Sequence, residues 1–202
     1  MSDSLLSDGR GGGQVSGEGW HTNWIFVPGY ENAYAPCGIW TAKELWTPTN
    51  YYDNQDEGDD MGGAVINTNA YGQHIVNVVG GQGIAWNYPN DQFVYDFGYP
   101  AEAPFNGATL EYCTGSEFNW SGIANTMGLP CNFTGGSSGG PWLMSFSGEF
   151  GYVNGVKRLR LLVAAGLHLR RLLRQQRRLA LRRDGQSLAP RRSKVPRRAR
   201  VT

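Results

Sequence analysis

From Trp20 onward the chain reads as short apolar runs cut by Gly, Pro, Asn and Asp. Residues 23–30 (NWIFVPGY) alternate, with Trp24 and Phe26 opposed to Ile25 and Val27. Residues 62–68 (GGAVINT) and 74–81 (HIVNVVGG) are short β-branched runs. Residues 92–100 (QFVYDFGYP) put Phe93, Tyr95 and Phe97 on one face, and residues 108–115 (ATLEYCTG) alternate Leu110 and Tyr112. PWLMSF and GYVNGV close the series at Val156. Runs of this length and period, bounded by turn residues, predict β-strands and hence a sandwich or barrel. No segment between Trp20 and Val156 carries a helical period, and no internal repeat is visible.

At Lys157 the pattern changes. KRLRLLVAAGLHLRRLLRQQRRLALRR places Leu162, Ala165, Leu169, Leu172 and Leu179 roughly on one stripe with arginines opposite, which predicts a helix. The residues after it, like the Gly/Ser-rich residues 1–19, read as disordered. The expected organisation is a disordered 1–19, a folded 20–156 and an Arg-rich tail 157–202. The folded part divides into a first barrel over about 20–78 and a second over about 79–156.

Charge sharpens that boundary. The chain's net charge of +1 hides two halves. Residues 1–156 hold two basic residues, Arg10 and Lys43, against sixteen acidic ones. Residues 157–202 hold the other sixteen basic residues and one acid, Asp184. Every Trp, Tyr and Phe lies before position 157. So sharp an asymmetry marks two functions or two origins. Arg, Leu, Ala and Pro are what GC-rich coding DNA yields out of frame. The expectation is therefore a frameshifted tail and a late start at the N-terminus. A selected role for the tail on nucleic acid or anionic membrane is the competing reading. No aromatic interleaves its basic residues to stack on bases, and no nucleic-acid partner is expected.

The N-terminus has neither the basic start nor the apolar run of a secretory signal. No stretch is long and apolar enough to span a membrane. Of the three cysteines, Cys113 and Cys131 are close enough in the chain to close a modest loop. A disulfide there would contribute roughly 3 kcal/mol and needs an oxidising compartment. Two buried free thiols are the alternative, and Cys37 is left over in either case.

The segment CNFTGGSSGGPW, residues 131–142, carries the candidate chemistry. Nucleophilic serine catalysis needs an exposed hydroxyl, a base and donors for an oxyanion. Glycines let the backbone turn its N–H groups inward and let substrate approach. A plain Gly/Ser linker would not abut a Cys, a Pro-Trp pair and an apolar strand. GSSGGP (136–141) resembles the G-x-S-G-G-P signature of chymotrypsin-fold, trypsin-like serine peptidases. With FVPGY (26–30), VVGGQGIAWN (78–87) and FGYPAEAPFNG (97–107), the chain looks like the secreted bacterial and fungal members related to glutamyl endopeptidases.

That resemblance implies an all-β fold of two antiparallel barrels, both incomplete here, whose open edges would make the chain poorly soluble. It implies Ser138 as nucleophile and the N–H groups of Gly136 and Ser138 as oxyanion hole. Ser137 stands where close relatives of trypsin carry an aspartate that pairs with a freed N-terminus. Asn132 matches the position that sets charge at the base of the specificity pocket; being neutral, it gives no electrostatic basis for a Lys/Arg preference. In DDMGGAVI (59–66), Asp60 is the candidate to orient the histidine, with Asp59 second. The acidic run DNQDEGDD (53–60) reads otherwise as a solvated loop, or as a calcium site whose spacing departs from the EF-hand.

The family's histidine sits in a TAGHC-like segment upstream of the aspartate, and the 202 residues contain none. His21, His74 and His168 lack that context. The expected function is peptide-bond hydrolysis through an acyl-enzyme on Ser138, with little activity as the chain stands. The alternative is a non-catalytic binding protein on the same scaffold. No cofactor and no metal are expected, and a monomer acting on protein or peptide substrates outside the cell is.

Overall fold

The computed structural model describes residues 4–7, 14–15, 19–20, 22–120, 126–158, 167–172, 181–183 and 186–187. Of 4–7, 14–15, 19, 57, 158 and the last three pieces, only the backbone is described.

The strands, in chain order, begin with β1 (Ser4–Ser7), β2 (Gln14–Val15), β3 (Gly19–Trp20), β4 (Ile25–Phe26), β5 (Trp40–Pro48) and β6 (Gly62–Ile66). The middle of the chain gives β7 (Gly83–Ile84), β8 (Phe93–Gly98), β9 (Glu111–Ser116), β10 (Phe118–Asn119) and β11 (Thr126–Pro130). Then come β12 (Pro141–Ser147), β13 (Phe150–Arg158), β14 (Leu167–Leu172), β15 (Leu181–Arg183) and β16 (Gln186–Ser187). Two short helices, α1 (Thr49–Asn54) and α2 (Ile75–Val79), and a 3-10 turn at Glu57–Asp59 complete the described elements.

Two larger sheets result. The first runs β1-β6-β5-β15-β16, with β4 paired to β5. The second runs β10-β11-β14-β13-β12-β8-β9, with the short β7 joined parallel to β13 and every other pair antiparallel. Each has its own core. Trp40, Leu45, Ala64, Ile66 and Ile75 pack in the first, flanked by Trp20, Trp24, Phe26 and Ala42. Ala85, Val94, Met127, Leu129, Trp142 and Met144 pack in the second. This is the all-β, double antiparallel architecture that the resemblance implies.

Several elements differ from expectation, among them β1 and β2 within residues 1–19 and β16 near the C-terminus, all in stretches expected to be disordered. Residues 75–79, read as a strand, form α2; Ile75 is buried and Gly80 N–H returns to the Val76 carbonyl at 3.0 Å. One buried residue on a single turn satisfies the core there, so tertiary fit overrides β-branched propensity. The strand at β5 went unread because Lys43 and Glu44 interrupt its alternation, where a bulge lies between Ala42 and Glu44. In β8, by contrast, the expected period holds: Phe93, Tyr95 and Phe97 share one face, and the fully buried face carries Val94 and Asp96. The tail stretch read as a helical stripe holds strands where it is described: β14 joins β11 to β13, and β15 pairs with β5. Open edges of both sheets offer N–H and C=O groups that a passing segment can pair with. Finally, β13 does not stop at Val156 but continues through Lys157, which is buried.

Candidate active site

The loop that carries Ser138 joins β11 to β12, and both of its ends are held. At the start, Cys131 is bonded to Cys113 of β9, with the two Cα atoms 6.1 Å apart. That pairing decides between the two readings of these cysteines; Cys37 is free. Phe133 and Thr134 are buried, and the Phe133 ring meets Phe105 edge-on, centroids 6.0 Å apart. Thr134 Oγ1 donates to the Glu102 carbonyl at 2.8 Å and accepts from the Glu102 N–H at 3.1 Å.

Two consecutive tight turns follow. In the first, Ser137 N–H reaches back to the Thr134 carbonyl at 3.5 Å, and Ser137 Oγ donates to the same oxygen at 2.9 Å. Its third residue, Gly136, has φ +95°. In the second, Gly140 N–H donates to the Ser137 carbonyl at 3.2 Å, and the third residue, Gly139, has φ +85°. A positive φ at that place is what type II turns require, and glycine adopts it without steric cost. Ser138 is the second residue of the second turn and is exposed, while Ser137 beside it is buried. Local chemistry thus lifts one hydroxyl out and folds its neighbour in. Gly136 N–H has no backbone acceptor among the described residues.

The loop's exit is clamped by the main chain of Lys157. Gly139 N–H donates to the Lys157 carbonyl and Lys157 N–H donates to the Gly140 carbonyl, each at 2.8 Å. The Lys157 side chain then turns into the core. Its Nζ pairs with Asp96 Oδ1 at 2.8 Å, both side chains fully buried. Nζ also donates to the Phe97 carbonyl at 3.2 Å and stands 4.2 Å from the centre of the Phe133 ring. Burial pushes the Lys157 ammonium below the usual lysine range, against the opposing pull of the Asp96 carboxylate. The alternation of residues 92–100 held a signal for half of this pair. If Phe93, Tyr95 and Phe97 share one face, Asp96 must lie on the other.

Asp60 is buried in the first sheet's half of the molecule, at the exit of the 3-10 turn and two residues before β6. Asp59 is buried too and accepts from Asn50 Nδ2 at 3.1 Å. The acidic run is thus buried at its end, while Asp53 and Asp56 stay exposed. Asp56 Oδ1 accepts from Gly58 N–H at 2.7 Å, and Thr47 Oγ1 anchors the Met61 carbonyl at 2.8 Å. Asn132 is exposed at the start of the serine loop. His74 is exposed and stands at the N-cap position of α2. His21 lies outside the described residues, and His168 is described only as a backbone position of β14 opposite Leu129.

No family model matches the chain, and no curated protein matches it. Solved structures do. The protease Anisep from Arthrobacter nicotinovorans is 37% identical, with a TM-score of 0.75, over 84% of this chain and 77% of that one. A thermostable serine protease, AL20, from an extremophilic microorganism is 32% identical, with a TM-score of 0.76, over 84% and 78%. A Glu endopeptidase in complex with MPD shares the fold at 15% identity, with a TM-score of 0.71, over 87% and 78%.

Proposed function

Because the chain belongs to the chymotrypsin-fold serine peptidases, we propose that it is built to hydrolyse peptide bonds through an acyl-enzyme on Ser138. The observation that carries this reading is the double turn. It presents Ser138 outward between two glycines of positive φ. In the reaction, Ser138 Oγ attacks the peptide carbonyl carbon, the C–N bond breaks, and the amine leaves with a proton. Water then hydrolyses the ester. The Gly136 and Ser138 N–H groups receive the oxyanion, Asn132 leaves the pocket base uncharged, and Asp60 would orient an imidazole base, which no TAGHC-like segment of these 202 residues supplies. The disulfide suits an oxidising, extracellular setting, where a monomer would act on peptide substrates.

The base is the weak member. With no TAGHC-like segment in these 202 residues, no base is assigned to take the Ser138 proton, and the expected rate is lower by several orders of magnitude. That same feature favours the second reading, a non-catalytic binding protein on the scaffold. A fluorophosphonate probe separates the two. The peptidase reading expects slow labelling that maps to Ser138, disappears in Ser138→Ala and accelerates with added imidazole. No labelling at Ser138, with or without imidazole, would leave the binding protein.

A further inference from the structure

Ser137 replaces the charge that an aspartate would place under the nucleophile turn, and its hydroxyl is spent on the Thr134 carbonyl. A charge pair nonetheless lies beneath that turn. We propose that Lys157 is a positioning residue, which holds the Ser138 turn in place from inside the protein through its ion pair with Asp96.

One residue reaches both ends of the loop. The Lys157 main chain bonds Gly139 and Gly140 at the exit. Its ammonium lies over Phe133 at the entrance. Asp96 and the Phe97 carbonyl, both on β8, fix that ammonium from below. The ammonium and the turn both close on Gly98. A Cβ added at Gly98 would stand 2.7 Å from Lys157 Nζ and 2.9 Å from Ser137 Cβ. Glycine at 98 leaves room for both the charged head and Ser137.

Stability alone is a poor reason for such a pair. Removing two charges from water costs about as much as their attraction returns, and an apolar pair of similar volume is often as stable. What the ion pair adds is direction. An ammonium with three donors, locked onto a carboxylate and a carbonyl, holds the strand end at one height. An aliphatic side chain would slide. The turn geometry would then be present from the moment of folding, with no ion pair from a freed N-terminus needed.

The test uses the full chain and three variants: Lys157→Met, Asp96→Asn and the double Asp96→Leu/Lys157→Met. The double variant leaves no buried charge unpaired, so it remains informative if a single variant fails to fold. Two readouts are taken beside thermal unfolding. One is amide hydrogen exchange of residues 134–140, with 62–66 as the control. The other is the fluorophosphonate labelling rate of Ser138, which rests on the serine-peptidase reading. The proposal expects the double variant to unfold cooperatively near the parent's midpoint. Its 134–140 amides should exchange at least tenfold faster, with 62–66 unchanged, and labelling should slow by at least tenfold. Parental exchange and labelling in that variant would overturn it and make the pair ordinary core structure. If the parent itself does not label, the peptidase reading fails, and the exchange difference alone decides the role of Lys157.

Discussion

The N–H of Ala101 donates to the carbonyl oxygen of Gly135 at 2.6 Å, and this bond ties the segment after β8 to the turn that carries Ser138. The two segments pass so closely that Gly136 has no room for a side chain. A Cβ there would stand 2.7 Å from Ala101 Cβ and 3.0 Å from the Tyr99 carbonyl oxygen. Gly136→Ala is therefore strained twice, by contact and by a φ of +95°. The expected cost is about 1–3 kcal/mol. A lower urea midpoint with an unchanged m-value checks it, together with loss of Ser138 labelling.

The Cys113–Cys131 bond closes a loop with a sequence separation of 18. In the chain-entropy model its loss costs about 3 kcal/mol. Cys113→Ser/Cys131→Ser should lower the unfolding midpoint by several degrees, and dithiothreitol should do the same to the parent but not to the variant. Because the bond anchors the start of the serine loop, labelling of Ser138 should weaken in parallel.

Tyr99 offers a pH signature. Its hydroxyl donates to the Tyr30 carbonyl at 2.8 Å. Burial, with the Glu31 carboxylate and Tyr30 nearby, raises its pKa above the ordinary 10.0. Above pH 10.0 the unfolded chain loses this proton first, so the native state binds more protons in that window. The contribution is full below pH 10.0 and is lost as pH rises through the raised native value. Urea titrations from neutral pH upward should show a constant stability gap between the parent and Tyr99→Phe, then a narrowing gap on the alkaline side. A gap that widens with alkalinity would reverse the assignment.

Asp59 and Asp60 are both buried, yet their tasks should differ. Asp59 is engaged by Asn50, so Asp59→Asn should chiefly lower stability, by about 1–2 kcal/mol. If Asp60 orients the imidazole, Asp60→Asn should lower imidazole-stimulated labelling of Ser138 by roughly tenfold or more. Equal effects of the two substitutions on labelling would remove Asp60 from the site.

Much of the site could be read before folding. Glycines at 136 and 139, with two serines between them, permit the backbone to turn its N–H groups inward, because positive φ is a property of single residues. The strand at Phe93–Gly98 shows the boundary of such reading. Its period of two is visible in one line of text, but either face could have been the core. In the fold, Val94 and Asp96 point inward and Phe93 is 54% exposed. An acid at a fully buried position is tolerated only because Lys157 arrives there, and the two are 61 residues apart in sequence.

By itself, then, the sequence determined the β character of residues 20–156, the turn chemistry around Ser138 and the break in composition near residue 157. All three follow from backbone preferences and composition over a few neighbouring residues. Only the tertiary structure decided that Cys113 joins Cys131, that residues 75–79 coil, that Asp59 and Asp60 are buried, and that β13 runs through Lys157 into the core. Each of these depends on partners brought together from distant parts of the chain, where burial and pairing outweigh local preference.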